Sequence, residues 1–328
     1  MSRAAETLSK IPLATFSIIA ICCLVYIYQF LFDPNLQQFT MCPRLVIYLN
    51  EYYRFITSSL FHGSMMHIGM NMMSTMAIGS SLEKQVGSFT MGFTILWGIL
   101  LTSTIYTGVS WLLYLMFDYE RMMYQHSVGF SGVIFQLSVL ETNLNPNRMR
   151  SVFGFFQVSS KMYPWALLVI LQFIMPQISF LGHLSGILVG TLQLHGAFDS
   201  IFPSDSYINE LENWETLQLI TTKPGFIRLP ETGNGLRRAN NAGLVASLLA
   251  AFGFVVQFVK NVCETIHFCI FGRGSDANEN IQMRSIGAAL GYGDSTSGSG
   301  AMQQNLEDEW AGLPTVEEAK QQELSNLL

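Results

Sequence analysis

The sequence predicts an all-α, polytopic membrane bundle, and three observations lead there. Half of the 328 residues are hydrophobic and only 12% are charged, the balance of a chain dissolved largely in lipid. The apolar residues gather into runs that reach or approach the length needed to cross about 30 Å of hydrocarbon. The charge is also uneven. Residues 1–200 hold nine Lys/Arg and eight Asp/Glu, whereas residues 201–328 hold eight and fifteen. A net charge of −7 on the tail excludes nucleic acid as a partner and leaves the acidic end as a candidate surface for a cytosolic protein. The five cysteines, Cys22, Cys23, Cys42, Cys263 and Cys269, are odd in number and lack C-x-x-C spacing, so neither a disulfide framework nor a metal site is expected.

Residues 1–10 are polar and form a cytosolic start, since Arg3 and Lys10 precede the first apolar run. That run, 11–32, is longer than the core of a signal peptide and predicts a retained span. Further spans are predicted near 65–82, 89–116, 129–140, 162–175 and 178–197. With six spans the cytosolic side carries Arg3, Lys10, Lys84, Arg148, Arg150 and Lys161, against Arg44, Arg54 and Arg121 outside. This is the direction of the positive-inside bias. The membrane core therefore covers 11–200, and a connecting segment covers 201–240. Residues 241–271 read either as a seventh span or as an interfacial helix: 241–259 carry no charge, yet Lys260, Glu264 and His267 continue at helical spacing. Residues 272–304 are a flexible Gly/Ser-rich linker. The acidic segment 305–328 can form a helix from Thr315, with Pro314 at its start.

Polar residues inside the apolar runs carry the chemistry. Ser131 stands between Gly129 and Gly132 at the head of the fourth predicted span, and His183 opens the sixth, beside a stripe of Gly182, Gly186 and Gly190. The second span begins with His67 and Asn71, four apart and so on one helix face. In the six-span topology the second, fourth and sixth spans run the same way, which places all three polar groups at one depth near the outer surface. Unpaired polar side chains in lipid are costly, and a shared wet cavity resolves the cost. Small residues there also have a packing explanation, because they let helix backbones approach closely. It covers the glycine stripe fully, but not a histidine beside it.

The roles follow from acyl-transfer chemistry. Ser131 needs a base to become a nucleophile, and His183 can take its proton and return it to the leaving amine. His67, Asn71 and the backbone N–H of Ser131 are the candidate donors to the oxyanion. No acid lies near His183 in sequence, and Asp199 belongs to the far end of the same span, so a Ser–His dyad is expected, with Phe135 supplying a ring to orient the imidazole. Met65, Met66, Met70, Met72, Met73 and Met76 read as adaptable packing rather than metal ligands. His126 and His195 read as loop and interface residues; His62, one turn and a half before His67, is ambiguous, the cavity mouth being one position open to it.

With these motifs in place the chain resembles the rhomboid intramembrane serine proteases. The G-x-S-G motif of that family matches Gly129 to Gly132, its H-x-x-x-N matches His67 to Asn71, and its H-x-x-G-x-x-x-G matches His183 to Gly190. Tyr53-Arg54 stands where the family often has Trp-Arg, and Glu83 with Gly87-Ser88 resembles its conserved end to the second span. The resemblance implies a six-helix core that cleaves transmembrane segments of other proteins within the lipid bilayer, without metal or cofactor. Gly129, Gly132, Phe135, Gly186 and Gly190 would support the site. Two departures concern substrate access: the loop 33–53 is short for the family, and Tyr53 replaces Trp. The stretches 150–156 and 161–165 are most similar to eukaryotic rhomboids of the secretory pathway that bear a ubiquitin-binding tail, implying endoplasmic reticulum or Golgi. The tail here lacks the Met-Gly-Phe loop of a ubiquitin-associated domain. The alternative is a catalytically inactive rhomboid-like scaffold for membrane-protein quality control. A channel or transporter would show internal repeats or paired intramembrane acids, and neither is present.

Overall fold

Helix α1 (Leu13–Phe32) begins where the apolar run predicts, and its first-turn amides explain how an uncharged helix can start there. Ala14 and Thr15 donate their N–H groups to the carboxylate of Glu83 at 2.8 and 2.7 Å, and the Thr15 hydroxyl donates to it as well. A buried acid from a distant helix thus satisfies donors that no local side chain caps. The computed structural model describes residues 11–232 apart from 153 and 155, together with Leu236. These residues all belong to the first of two units, 1–256 and 257–328, into which the chain divides. The expectations for 241–271, 272–304 and 305–328 lie outside the described residues.

Two short helices, α2 (Pro43–Leu49) and α3 (Arg54–Leu60), occupy the region after α1. The sequence predicts only a loop over most of it. The difference comes from Arg54, which is buried and donates to the Glu51 carboxylate and to the carbonyls of Gln37 and Thr40. A buried guanidinium with several acceptors folds the loop around itself.

The region predicted as the second span runs from α4 (Met65–Ser74) through a π-helical turn (Thr75–Gly79) into α5 (Ser80–Val86). Ser64 starts it by accepting the His67 N–H, the expected N-cap geometry. Gly87, at φ +85°, ends it. Of the six methionines expected to serve as packing here, Met72 is buried while Met65, Met66, Met70, Met73 and Met76 face outward. On a lipid-facing helix an apolar surface needs no protein cover.

After α5 come α6 (Ser88–Phe117), the single turn α7 (Arg121–Tyr124) and the central helix α8 (Ser131–Leu144), whose residues from Val133 to Thr142 are all buried. The α1 and α6 helices, of 20 and 30 residues, are long and apolar enough to cross a membrane by themselves, with mean hydropathies of 2.1 and 1.5. Helices α9 (Tyr163–Ile174) and α10 (Phe180–Leu194) are apolar and shorter. The expected fourth span starts two residues later than predicted because Gly129 takes φ +115°, which no helix accommodates.

One element departs from the all-helical expectation. Strands β1 (Met149–Val152) and β2 (Phe156–Ser159) pair antiparallel, from Met149 opposite Ser159 to Val152 opposite Phe156. Arg150 anchors the hairpin through an ion pair with the buried carboxylate of Glu141 on α8, which Ser81 also contacts. Beyond α10, helix α11 (Asp205–Asn213) and the turn α12 (Gln218–Thr221) lead to a strap at 225–229. The Gly225 carbonyl accepts the Leu13 N–H, that of Ile227 accepts the Ser88 N–H, and Ile227 N–H returns a bond to the Ser88 hydroxyl. Ser88 in turn donates to Glu83 at 2.6 Å. The strap closes over Ile208 and Leu211, with Phe89 and Phe93 packed against them.

Candidate active site

Ser131 is the first residue of α8, and no side chain caps that helix. The N-terminus of a helix leaves backbone N–H groups unpaired and carries a partial positive charge. At this one the donors face a cavity of about 310 Å³ that Ser131, Gly129, Gly132, His67 and His183 help to line. Much of the rest of the wall consists of hydroxyl-bearing residues, among them Ser58, Ser64, Ser103, Ser127 and Ser179. The space is ample and polar enough for water.

His183 sits in the second turn of α10, which Ser179 starts by accepting the Gly182 N–H. Its Nε2 lies 2.9 Å from Ser131 Oγ, within range for proton transfer. Its Nδ1 is buried with no hydrogen-bond partner among the described residues, and none of their carboxylates orients the ring. Instead the ring of Phe135, one turn down α8 from Ser131, stacks on it with centroids 4.6 Å apart and planes at 29°. Asp199 falls beyond the far end of α10.

The two helices approach this closely because glycines line the contact. A Cβ placed on Gly186 would lie 1.9 Å from the Gly132 carbonyl oxygen, and one on Gly190 would lie 2.8 Å from Val139 Cβ. A Cβ on Gly132 would lie 3.2 Å from the Gly182 oxygen. The glycine stripe therefore sets the separation at which a hydroxyl and an imidazole meet.

His67 and Asn71 flank the same loop from α4. A Cβ on Gly129 would meet His67 Nε2 at 2.7 Å and Asn71 Nδ2 at 3.3 Å, so only glycine lets the serine loop pass under both donors. His67 lies on the cavity wall, whereas Asn71 is buried beside it, and Asn71 Nδ2 has no acceptor among the described residues. An amide hydrogen held unpaired in a buried place costs stability and awaits an acceptor.

Among the histidines without an assigned role, His126 lines the cavity from the loop ahead of α8, with Nδ1 2.5 Å from the Thr40 hydroxyl. Burial, and secondarily the nearby Arg54 charge, push its ring down to about 4, so it is neutral at ordinary pH. His195 is buried at the end of α10 and contacts the Thr191 carbonyl through Nδ1. The structure settles the position of His62: it is not at the mouth but fully buried, edge-on to His67 with centroids 5.2 Å apart. Its signal in the sequence was a second imidazole five positions before His67, at the head of a methionine-rich apolar run. Among the described residues no group of three or more His, Cys, Asp or Glu could hold a metal ion.

Comparison with known proteins adds a second line. The family described as the rhomboid domain matches residues 49–198. Rhomboid-like protein 15 of Arabidopsis thaliana is 33% identical over 234 residues, covering 69% of this chain and 57% of that protein. The chain belongs to the rhomboid family. It is accordingly an integral membrane protein with a helical bundle as its core. Other rhomboid relatives include the Arabidopsis rhomboid-like protein 14, mitochondrial, 35% identical over 201 residues, covering 58% of this chain and 59% of that protein. Rhomboid-related protein 4 of Rattus norvegicus is 36% identical over 158 residues, covering 46% of this chain and 48% of that protein. The chain thus spans between about half and three fifths of the length of these relatives.

Proposed function

We propose that this rhomboid is an intramembrane serine endopeptidase that cleaves the transmembrane segments of other membrane proteins through a dyad of Ser131 and His183. The observation that carries the reading is the 2.9 Å approach of His183 Nε2 to Ser131 Oγ at an uncapped helix N-terminus facing a polar cavity.

The chemistry needs His183 neutral and protonated on Nδ1, leaving Nε2 to accept the serine proton. As Ser131 Oγ bonds to the substrate carbonyl carbon, its proton passes to Nε2 and the carbonyl oxygen becomes an oxyanion. His67, Asn71 and the Ser131 N–H are the donors proposed to hold that charge. When the C–N bond breaks, Nε2 returns the proton to the leaving amine and an acyl-serine remains. A water molecule then repeats the sequence in reverse, with His183 again as base, and releases the carboxylate. Phe135 holds the imidazole plane throughout, the part a carboxylate plays in a triad.

The central helix also argues for a substrate in the bilayer. Its 14 residues cover about 21 Å against about 30 Å of hydrocarbon, which suits a catalytic end set below the membrane surface. A helical substrate hides its carbonyls in internal hydrogen bonds, so the segments cleaved are those that unwind easily. The core at 11–200, six spans and placement in the endoplasmic reticulum or Golgi complete this reading; one relative's name carries the word mitochondrial, and imaging of the tagged full chain separates the two locations.

The test is labelling of the detergent-solubilised full chain with a fluorophosphonate probe. Labelling of the parent, lost in Ser131→Ala and strongly reduced in His183→Ala, is the expected result. Equal labelling of all three overturns the assignment of the serine. Absence of labelling in all three favours the inactive scaffold.

A further inference from the structure

Two consecutive peptide groups ahead of Ser131 are tied to one short segment, 58–62. The Gly129 N–H donates to the Ser58 carbonyl at 2.7 Å, and the Phe130 N–H points at His62 Nε2 at 3.5 Å. His62 is 0% exposed, and its other nitrogen, Nδ1, lies 3.1 Å from the Leu60 carbonyl. Both contacts demand the same tautomer: Nδ1–H donates to Leu60, which leaves Nε2 as the lone pair that accepts from Phe130. The ring is therefore neutral and fixed in plane at both ends.

The backbone of His62 is held as firmly as its ring. Gln29, in the last turn of α1, donates Nε2–H to the His62 carbonyl at 2.8 Å, and its Oε1 accepts the His62 N–H at 3.3 Å. A half-buried amide amid the apolar residues of an outer span is costly without such partners. Here it spends both halves of its side chain on one residue. The opposite edge of His62 meets the His67 ring at 69°. One residue thus joins the first span, the serine loop and the histidine proposed to bind the oxyanion.

We infer that His62, clamped by Gln29, is a positioning residue that fixes the Gly129–Phe130 peptide, and through it the direction of the Ser131 N–H that follows, together with the His67 ring, toward the oxyanion of the reaction proposed above. It touches no substrate. It acts by fixing where two donors point, and donors aimed in advance at developing charge lower the barrier without tightening substrate binding. The brace rests on the endopeptidase reading and deepens it.

Steady-state cleavage of a transmembrane substrate by the detergent-solubilised full chain tests it, comparing the parent with His62→Ala, His62→Gln and Gln29→Met. In His62→Gln the amide oxygen can take the place of Nε2 and accept from Phe130. The expected result is a fall in kcat of about 10- to 100-fold for His62→Ala with KM changed by less than about 3-fold. Recovery to within about 5-fold of the parent in His62→Gln, and a loss of about 3- to 10-fold in Gln29→Met, complete the pattern. A kcat within 2-fold of the parent in both His62→Ala and Gln29→Met overturns the brace, as does a rise in KM at unchanged kcat. If His62→Ala does not fold, His62→Gln and Gln29→Met decide alone: parental kcat in the second, or a Gln variant as slow as Ser131→Ala, overturns it. A parent whose cleavage survives Ser131→Ala overturns the endopeptidase reading instead, so the two failures are distinct.

Discussion

Phe135 lies against a face of His183 with ring centroids 4.6 Å apart, and this stacking holds the ring whose Nδ1 edge, the one a triad carboxylate would take, has no partner among the described residues. Aromatic pairs contribute about 0.5–1.5 kcal/mol beyond the area they bury. Phe135→Leu keeps the bulk and removes the ring. We expect kcat/KM for a transmembrane substrate to fall about 3- to 10-fold, with the melting temperature lowered by only a few degrees. Parental activity in this variant would show that the ring is packing and nothing more.

Gly186 gives a sharper outcome because its neighbour is backbone. An added methyl would sit 1.9 Å from the Gly132 oxygen, and neither helix can yield without separating the dyad. Gly186→Ala should destabilise by at least about 2 kcal/mol and abolish labelling of Ser131. Gly92, which has nothing within 4 Å of a built Cβ, is the control. Gly92→Ala should be neutral or gain a few tenths of a kcal/mol from helix propensity, as read by thermal unfolding in detergent.

The carboxylate of Glu83 accepts from Ala14, Thr15 and Ser88 together. In Glu83→Gln an amide hydrogen would face those same donors. The cost of leaving buried donors mismatched, about 1–3 kcal/mol, should appear as a lower melting temperature and faster proteolysis near residue 13. If the variant melts with the parent, the junction of α5 with α1 and α6 does not depend on this acid.

Arg150 and Glu141 form an ion pair whose carboxylate is nearly buried. Removing one partner strands the other, so Arg150→Met should cost about 3–5 kcal/mol, while the double variant Arg150→Met with Glu141→Gln should recover much of it. A thermodynamic cycle over the four proteins measures the coupling. Additive effects would mean that the hairpin stands without its anchor.

Much of this architecture was legible in the residues themselves. Ser131, His67 and His183 stood out because polar groups in apolar runs are rare, and the alternation of span directions put them at one depth. The hairpin was not legible: strands of four residues with little burial carry no alternating pattern, and its stability comes from Arg150 reaching a distant acid. The short helices at 43–49 and 54–60 were missed for the same reason, since Arg54 organises them from within. His62 was visible as a residue but not as a role, because its partners Gln29 and Phe130 are 33 and 68 positions away. Long-range hydrogen bonds of this kind leave no local signature.

The strap at 225–229 gives Leu13 and Ser88 their missing acceptors, although the match to the rhomboid domain stops at residue 198. A chain cut at the edge of that match would expose two orphan amides at the starts of α1 and α6. The smallest piece able to stand by itself is thus marked by where hydrogen bonds close, some thirty residues past the end of the domain match.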